Sequence, residues 1–199
     1  MGYNKDMSSL PIKRYTPEEY LEIERTAEFK SEYVSGEMLG MAGASFAHNQ
    51  IARNVMSRIE RQAEAGPCQP LGSDQKVNVG ASFFYPDVTV VCGKPEFLDK
   101  RKDVLLNPTV IVEVLSPSTE QYDRGHKLNK YIQLASLRDL LFVSQDEISI
   151  EHLSRQPDNT WLLKVITDPD AVITLDSIDC RLTVADIYAR VEFEAAASF

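Results

Sequence analysis

Apolar residues recur with two different periods along the chain, and these periods predict where helices and strands lie. Ile51, Val55 and Ile59 are spaced by four residues, which places them on one face of a helix within SFAHNQIARNVMSRIERQAEAG. The stretches DQKVNVG, FFYPDVTVVCG and TVIVEVLS are instead short, rich in valine and bounded by polar or turn residues, which is typical of strands. The chain therefore combines helices with a substantial sheet.

Capping signals and element order refine this picture. Thr16, Pro17 and Glu19 form the start signal of a helix in TPEEYLEIERTAEFK, including a capping box. A helical stretch, STEQYDRGHKLNKYIQLASL, separates the strands TVIVEVLS and DLLFVSQD, which is the pattern of a crossover unit between parallel strands. Further predicted elements are a hairpin turning at Ser35 and Gly36, the strands ISIEHLS, TWLLKVIT and AVITL, and a C-terminal helix TVADIYARVEF capped by Thr183. The predicted fold class is α/β, or mixed α+β, with a curved mixed sheet flanked by helices.

The domain organisation predicted for the 199 residues is simple. Residues 1–13 are expected to be a flexible N-terminal segment, and residues 14–199 a single domain, because no repeat, low-complexity tract or linker interrupts them. No apolar stretch is long enough for a membrane span and no signal peptide is recognisable, so a cytoplasmic location is expected.

The cysteines and the net charge limit the classes of function. Cys68, Cys92 and Cys180 are widely separated and form no CxxC pair, so free thiols are expected rather than a zinc site or a disulfide framework. The formal net charge of −9 opposes a general attraction to nucleic acid or anionic lipid, although it leaves room for a local basic groove or a cation site.

One carboxylate stands out in an otherwise apolar strand. In residues 110–115, VIVEVL, side-chain alternation places Glu113 on the same face as Ile111 and Leu115. Asp87 opens another apolar strand, and the two carboxylates converge if the strands are neighbours. From the residues alone three interpretations remain open: a divalent metal site, a structural ion pair with a lysine or arginine, and an acid/base pair that works without metal.

The helix that follows this strand offers a cation. Asp123, Lys127 and Tyr131 are spaced by four residues and share one face, and the turn after the strand would let Lys127 reach the space above Glu113. The alternative is an exposed Asp123–Lys127 helix pair that contributes only a few tenths of a kcal/mol.

Together, these motifs resemble a known family. YPDVTVV, VIVEVLSPST and YDRGHKLNKY, with SEYVSGEMLGMAGASFAHNQI upstream, resemble the restriction-endonuclease-like family within the PD-(D/E)xK nuclease superfamily. The resemblance extends from about Arg14 to Val191 and implies a restriction-endonuclease-like core.

The resemblance also implies an activity: Mg²⁺-dependent, or Mn²⁺-dependent, endonucleolytic hydrolysis of phosphodiester bonds in DNA. Asp87 and Glu113 match the two metal-binding acids, the backbone carbonyl of Val114 would be a further metal ligand, and Glu37 matches an upstream acid. The superfamily pattern has a lysine two residues after the second acid. Leu115 stands there in this chain, and Lys127 matches the lysine that has moved to the following helix.

Several alternatives accompany this interpretation. A catalytically inactive nuclease-fold protein would use the same residues as a structural network in a binding or assembly module, and a third option is hydrolysis of a smaller phosphodiester. His48 is a candidate phosphate contact, with capping or packing as its alternative role. A homodimer is expected, because enzymes of this superfamily that cut both strands often pair.

Overall fold

A six-stranded mixed sheet forms the centre of the computed structural model, which describes residues 13–193. Its strands are β3 (Cys68–Gly72), β6 (Val88–Cys92), β8 (Val110–Leu115), β9 (Asp139–Ser144), β10 (Ile150–Arg155) and β11 (Trp161–Ile166). They are arranged in the order β11-β10-β9-β8-β6-β3, and within this sheet only β8 and β9 are parallel. The mixed α/β fold class expected from the sequence is confirmed.

The central strand β8 is buried along its whole length and separates two cores. Its three valines pack with Ile51, Val55 and Ile59 of α2 (Phe46–Ala63) on one face of the sheet. Ile111 and Leu115 pack on the opposite face, so the alternation read from the sequence is present in the fold. Glu113 points into this second core, and the sheet is therefore buried on both sides where the candidate site lies.

A second sheet and a helical segment cover the face that carries Glu113. This five-stranded sheet has the order β2-β1-β5-β4-β7. Its strands are β1 (Ser31–Val34), β2 (Glu37–Gly40), β4 (Lys76–Val79), β5 (Ser82–Phe84) and β7 (Val104–Leu105), and α1 (Pro17–Glu24) precedes them. The Thr16 capping box is formed as expected, because Glu19 N–H donates to Thr16 Oγ1 and Thr16 N–H donates to Glu19 Oε2.

The predicted crossover between β8 and β9 consists of one helical stretch with an irregular centre. It begins with α3 (Glu120–Tyr122), continues through a π-helical turn (Asp123–Lys127) and ends with α4 (Leu128–Tyr131). Gly125, a poor helix former, lies in the wide turn. Asp123 and Lys127 are the buried residues of the π-helical turn, and Lys127 reaches Glu113 on β8.

Three sequence-based expectations are wrong. The C-terminal helix is only α5 (Val184–Ile187), since the chain leaves the helix and Arg190 adopts a positive φ of 63°. Strand β3 was not foreseen, because CQPLG lacks the alternation of a typical strand. Cys68 and Cys92 form a disulfide rather than free thiols, because β3 and β6 pair in a register that sets the two residues opposite each other.

The remaining elements lie at the chain's C-terminal side and outside the two sheets. A small hairpin, β12 (Val172–Leu175) and β13 (Cys180–Thr183), packs with α2 and α5. Within residues 13–193 no helix is long and apolar enough to cross a bilayer. The predicted N-terminal segment, residues 1–13, falls almost entirely outside the described residues, and the proposed domain limits stay a prediction.

Candidate active site

Asp87 directly precedes β6, at one end of this inner strand of the central sheet. Its Oδ2 accepts a hydrogen bond from Val114 N–H at 2.7 Å, and its Oδ1 accepts one from His48 Nε2 at 2.8 Å. The register between β6 and β8 pairs Val88 with Val112, so the next position along sets Asp87 opposite Glu113. Strands β6 and β8 are therefore neighbours, which is the condition for Asp87 and Glu113 to converge.

Glu113 projects from β8 into the interior and is almost fully buried. Its Oε1 accepts hydrogen bonds from Tyr131 Oη at 2.6 Å and from Lys127 Nζ at 3.1 Å. Both donors come from the crossover stretch, where the four-residue spacing places them on one face. Stripping this carboxylate of water is costly, and the two donors replace part of the lost hydration.

Lys127 occupies the centre of a cluster of carboxylates. Its Nζ lies 2.9 Å from Glu32, 3.1 Å from Glu113 and 3.2 Å from the carboxylate of Asp123. Only 8% of the side-chain surface of Lys127 is exposed, so the lysine reaches back over the strand instead of pointing into solvent. The alternative of an exposed helix pair is therefore excluded.

The charge balance of this cluster is unequal, because one ammonium faces three carboxylates. Burial raises the pKa of Glu113, and the carboxylates of Asp123, Asp87 and Glu32 raise it further against the lowering effect of Lys127. Burial alone would lower the pKa of Lys127, but the surrounding carboxylates outweigh it and hold this pKa well above its usual value. Lys127 is thus an ammonium at neutral pH, whereas the raised pKa of Glu113 favours the protonated form of that carboxyl group.

Burial and the nearby carboxylate of Glu113 also raise the pKa of the Tyr131 phenol. Tyr131 therefore stays protonated and acts as a hydrogen-bond donor to Glu113. Tyr131 is fully buried, and its ring packs edge-on against Phe84 with centroids 5.4 Å apart. The phenol is fixed in place by packing, and it orients the carboxylate that it contacts.

Sequence reasoning missed two members of the site. Glu32, on β1, was read as part of an ordinary hairpin strand; in the fold it contacts Lys127 and accepts a hydrogen bond from Tyr85 N–H at 3.2 Å. His48 was considered as a phosphate contact, but the structure places it against Asp87. SEYV places two polar residues before two apolar ones, so no local pattern singled out Glu32, and none singled out His48 because its partner comes from another element.

Glu37 does not take part in the contacts around Lys127. It begins the outer strand β2 opposite Val34, and its carboxylate lies 3.9 Å from Arg14 with 42% of the side chain exposed. The acid that β1 and β2 bring to the cluster is Glu32, two positions before Val34 on the same face. Glu32 rather than Glu37 therefore contacts Lys127, and the metal-binding role expected of Glu37 stays a prediction.

The ends of β6 and β8 bring together oxygen donors of the kind that a divalent cation takes. Within residues 13–193 no three His, Cys, Asp or Glu side chains are arranged to hold a metal ion by themselves. Mg²⁺ commonly takes only one or two carboxylates and keeps several waters. In a strand the N–H and C=O of one residue project to the same edge, so the Val114 carbonyl faces the edge where Asp87 contacts its N–H. Asp87, Glu113 and this carbonyl fit such a partly hydrated hard cation.

The mixed α/β core with two neighbouring acids is consistent with a nuclease-like class of fold, and comparison with known proteins shows this class. The sequence model of the Uma2 family, described as "Putative restriction endonuclease", matches residues 17–185. The chain belongs to this family. It is also similar to a "putative nuclease" from Anabaena variabilis, whose crystal structure matches with a TM-score of 0.75 at 18% identity over 88% of this chain and 98% of that one. This likeness concerns the fold, and it confirms the restriction-endonuclease-like architecture.

Two relatives from Synechocystis are similar along most of their length. One uncharacterized protein is 33% identical over 187 residues, which is 93% of this chain and 97% of the relative. A second is 32% identical over 163 residues, which is 81% of this chain and 92% of the relative. The similarity to these relatives therefore extends over most of the chain.

Proposed function

We propose that the protein is a Mg²⁺-dependent endonuclease, able also to use Mn²⁺, that hydrolyses phosphodiester bonds in DNA. The observation that carries this proposal is the position of Asp87, directly before β6, opposite Glu113 on the adjacent strand β8, with Lys127 3.1 Å from Glu113. The excess of carboxylates over ammonium in a buried cluster favours a bound cation, because like charges at close range otherwise force protonation. Membership of a family described as restriction endonucleases supports the same reaction class.

In this proposal the residues have distinct roles. Asp87, Glu113 and the Val114 carbonyl would hold the metal, and His48 and Tyr131 fix the two carboxylates through hydrogen bonds of 2.8 and 2.6 Å. The metal would polarise a phosphate oxygen and lower the pKa of a bound water.

Lys127 acts as a donor in this scheme. Its raised pKa keeps it an ammonium, so it is unsuited to remove a proton and suited to orient the attacking water or stabilise negative charge on the phosphate. The lysine that the superfamily carries on the strand is thereby replaced by one that approaches from the crossover helix, and Leu115 is free to pack in the apolar core.

A binding or assembly module without catalysis is the second candidate. One observation favours it: Lys127 and Glu113 are buried and already bonded to each other, as in a structural ion-pair network. Both candidates use the same fold, so only an activity measurement separates them.

The direct test is DNA cleavage by the purified protein with Mg²⁺ or Mn²⁺, using linear, nicked and single-stranded substrates. Wild type is compared with Asp87→Asn, which removes the charge of the edge carboxylate with little change in volume. We expect metal-dependent cleavage by wild type and a loss of at least about 100-fold in the variant, a typical size for removal of a group that stabilises transition-state charge.

The matched control is Asp168→Asn, an exposed carboxylate in the turn before β12. It should cleave as wild type does. Equal activity of Asp87→Asn and wild type would refute the proposed site, and absence of cleavage under all metal conditions would favour the binding module. A chromogenic phosphodiester in the same assay reveals hydrolysis of a smaller substrate.

A further inference from the structure

A second concave site lies on the outer side of α2, away from the acidic cluster. A cavity of about 260 Å³ is formed between this helix and the chain that leaves α5. Four arginines line it with one carboxylate, that of Asp186. They are Arg53, Arg58, Arg61 and Arg190. A concentration of guanidinium groups is unexpected in a protein with a net charge of −9.

The fold holds this site together by side-chain hydrogen bonds. Asn54 Nδ2 donates to the carbonyls of Ile187 and Ala189 at 3.0 and 2.9 Å, and Gln50 Nε2 donates to Ala189 O at 3.1 Å. These bonds fasten the segment after α5 to α2, and Arg190 follows with a positive φ of 63°. A non-glycine residue in this region costs about 1–3 kcal/mol, so the surrounding contacts determine where Arg190 lies.

Most of the positive charge in the cavity is not neutralised by the protein. Arg58 is paired with Asp186 at 2.6 Å. Among residues 13–193, no carboxylate lies within 4 Å of the guanidinium groups of Arg53, Arg61 or Arg190. Among the described residues, Arg53 donates a hydrogen bond to Asn54 Oδ1 and Arg61 donates one to Ser57 O, so most of their donors have no protein partner. The cavity lining therefore offers an anion three exposed guanidinium groups without a carboxylate partner.

We propose that this arginine cavity binds phosphate groups of a nucleic-acid backbone. The assignment rests on the proposed function, since that function requires DNA at a protein whose net charge repels it. Guanidinium groups match phosphate in charge and in bidentate geometry. The same helix carries His48, the partner of Asp87, and Arg53 follows it by about 7.5 Å along the helix axis. A nucleic-acid backbone held in the cavity would therefore lie against the helix whose N-terminal end contacts Asp87.

The basic loop between β6 and β7 is a weaker candidate for this contact. Lys100, Arg101 and Lys102 lie there beside Asp99 and Asp103. Both aspartates bind Arg25, at 2.7 and 2.8 Å, so this surface has two carboxylates beside four cations. The α2 cavity has one carboxylate for four arginines and is the more positive of the two surfaces.

The test is fluorescence anisotropy with a labelled 20-base-pair duplex and the full chain in EDTA, where binding is measured without cleavage. Arg53→Gln/Arg61→Gln/Arg190→Gln removes three charges and keeps the Arg58–Asp186 pair. Lys94→Gln/Lys100→Gln/Lys164→Gln removes the same charge from exposed positions, two of them in the basic loop between β6 and β7, and so also tests that weaker candidate. We expect the arginine variant to raise Kd at least about tenfold and to reduce the slope of log K against log salt by roughly 2–3, and the lysine variant to change little.

Three outcomes would overturn the inference. The first is an equal rise in the Kd for the duplex in both triple variants. The second is an unchanged Kd in the arginine variant when its melting temperature is also unchanged. The third is tighter binding of the protein to phosphatidylserine vesicles or to inorganic phosphate than to the duplex. Because the readout excludes cleavage, a protein that binds DNA through the cavity but never cuts it would uphold this inference and refute the proposed function.

Discussion

At the scale of single residues, the site shows which contacts a sequence can foretell. Glu113 was identifiable because a charge interrupts an apolar alternation, and Lys127 because helical spacing sets it beside Asp123 and Tyr131. Glu32 and His48 come from distant elements, so their contacts with Lys127 and Asp87 depend on tertiary packing. Local periodicity locates a residue on a face, but it does not tell which distant residue meets it.

Replacing Lys127 by methionine should strongly destabilise the fold. The change leaves three buried or nearly buried carboxylates without their ammonium, and removal of one partner of a buried pair costs about 3–5 kcal/mol. Urea unfolding measures the loss. Lys130→Met is the control, on the same stretch and without an ion pair among the described residues, and it should cost under about 0.5 kcal/mol. Similar losses in both variants would contradict the buried network.

Removing the hydroxyl group of Tyr131, which donates a hydrogen bond to Glu113, should lower the free energy of unfolding. Tyr131→Phe deletes a 2.6 Å hydrogen bond to a carboxylate, which is expected to cost about 1.5–3 kcal/mol. Tyr122→Phe is the matched control, because the buried Tyr122 hydroxyl has no hydrogen-bond partner among the described residues and its removal should cost nothing. Chemical denaturation of both variants gives the comparison, and the account fails if Tyr122→Phe is the more damaging change.

At the scale of elements, prediction succeeded where a pattern is local and failed where it depends on a partner strand. The strand β8, the capping box of α1 and the crossover to β9 all follow from short-range signals. Strand β3 has no such signal, and its pairing with β6 is what brings the two cysteines together. A disulfide is typical of oxidising surroundings, whereas the sequence predicts a cytoplasmic location, which stays a prediction.

The disulfide between Cys68 and Cys92, which joins β3 to β6, should increase the free energy of unfolding. Cys68→Ser with Cys92→Ser opens a loop defined by a sequence separation of 24 residues, and loop-closure entropy predicts a loss of about 3 kcal/mol. Unfolding free energies of the oxidised wild type, the reduced wild type and the double variant are compared, and the last two should agree. Three free thiols in the unfolded, unreduced wild type would contradict the disulfide.

At the scale of the whole molecule, the sequence predicted one curved sheet, and the fold contains a second sheet of five strands packed over it. The strands of this second sheet are short, two to four residues, and their periodicity is too brief to reveal a separate layer. That layer closes the core around Glu113 and supplies Glu32. The fold class was therefore predictable, but the enclosure of the site was not.

The expected homodimer is also a property of the whole molecule. Light scattering coupled to gel filtration should give about twice the chain mass of 22.4 kDa. The edge strand β11 presents Leu162, Leu163 and Val165 as exposed side chains, and pairing of such an edge with a second copy would cover them. A particle of single-chain mass at high micromolar concentration would contradict the dimer.

The central claim is that Asp87 and Glu113 form a divalent-cation site, and calorimetric titration of Mg²⁺ and Mn²⁺ tests it most directly. Wild type should bind about one ion per chain at the sheet edge, and Asp87→Asn should bind at least about tenfold more weakly, because second-sphere contacts alone change metal affinity by such factors. Asp168→Asn should titrate as wild type does. The same isotherm for wild type and Asp87→Asn, or no binding by wild type at millimolar metal, would contradict the account.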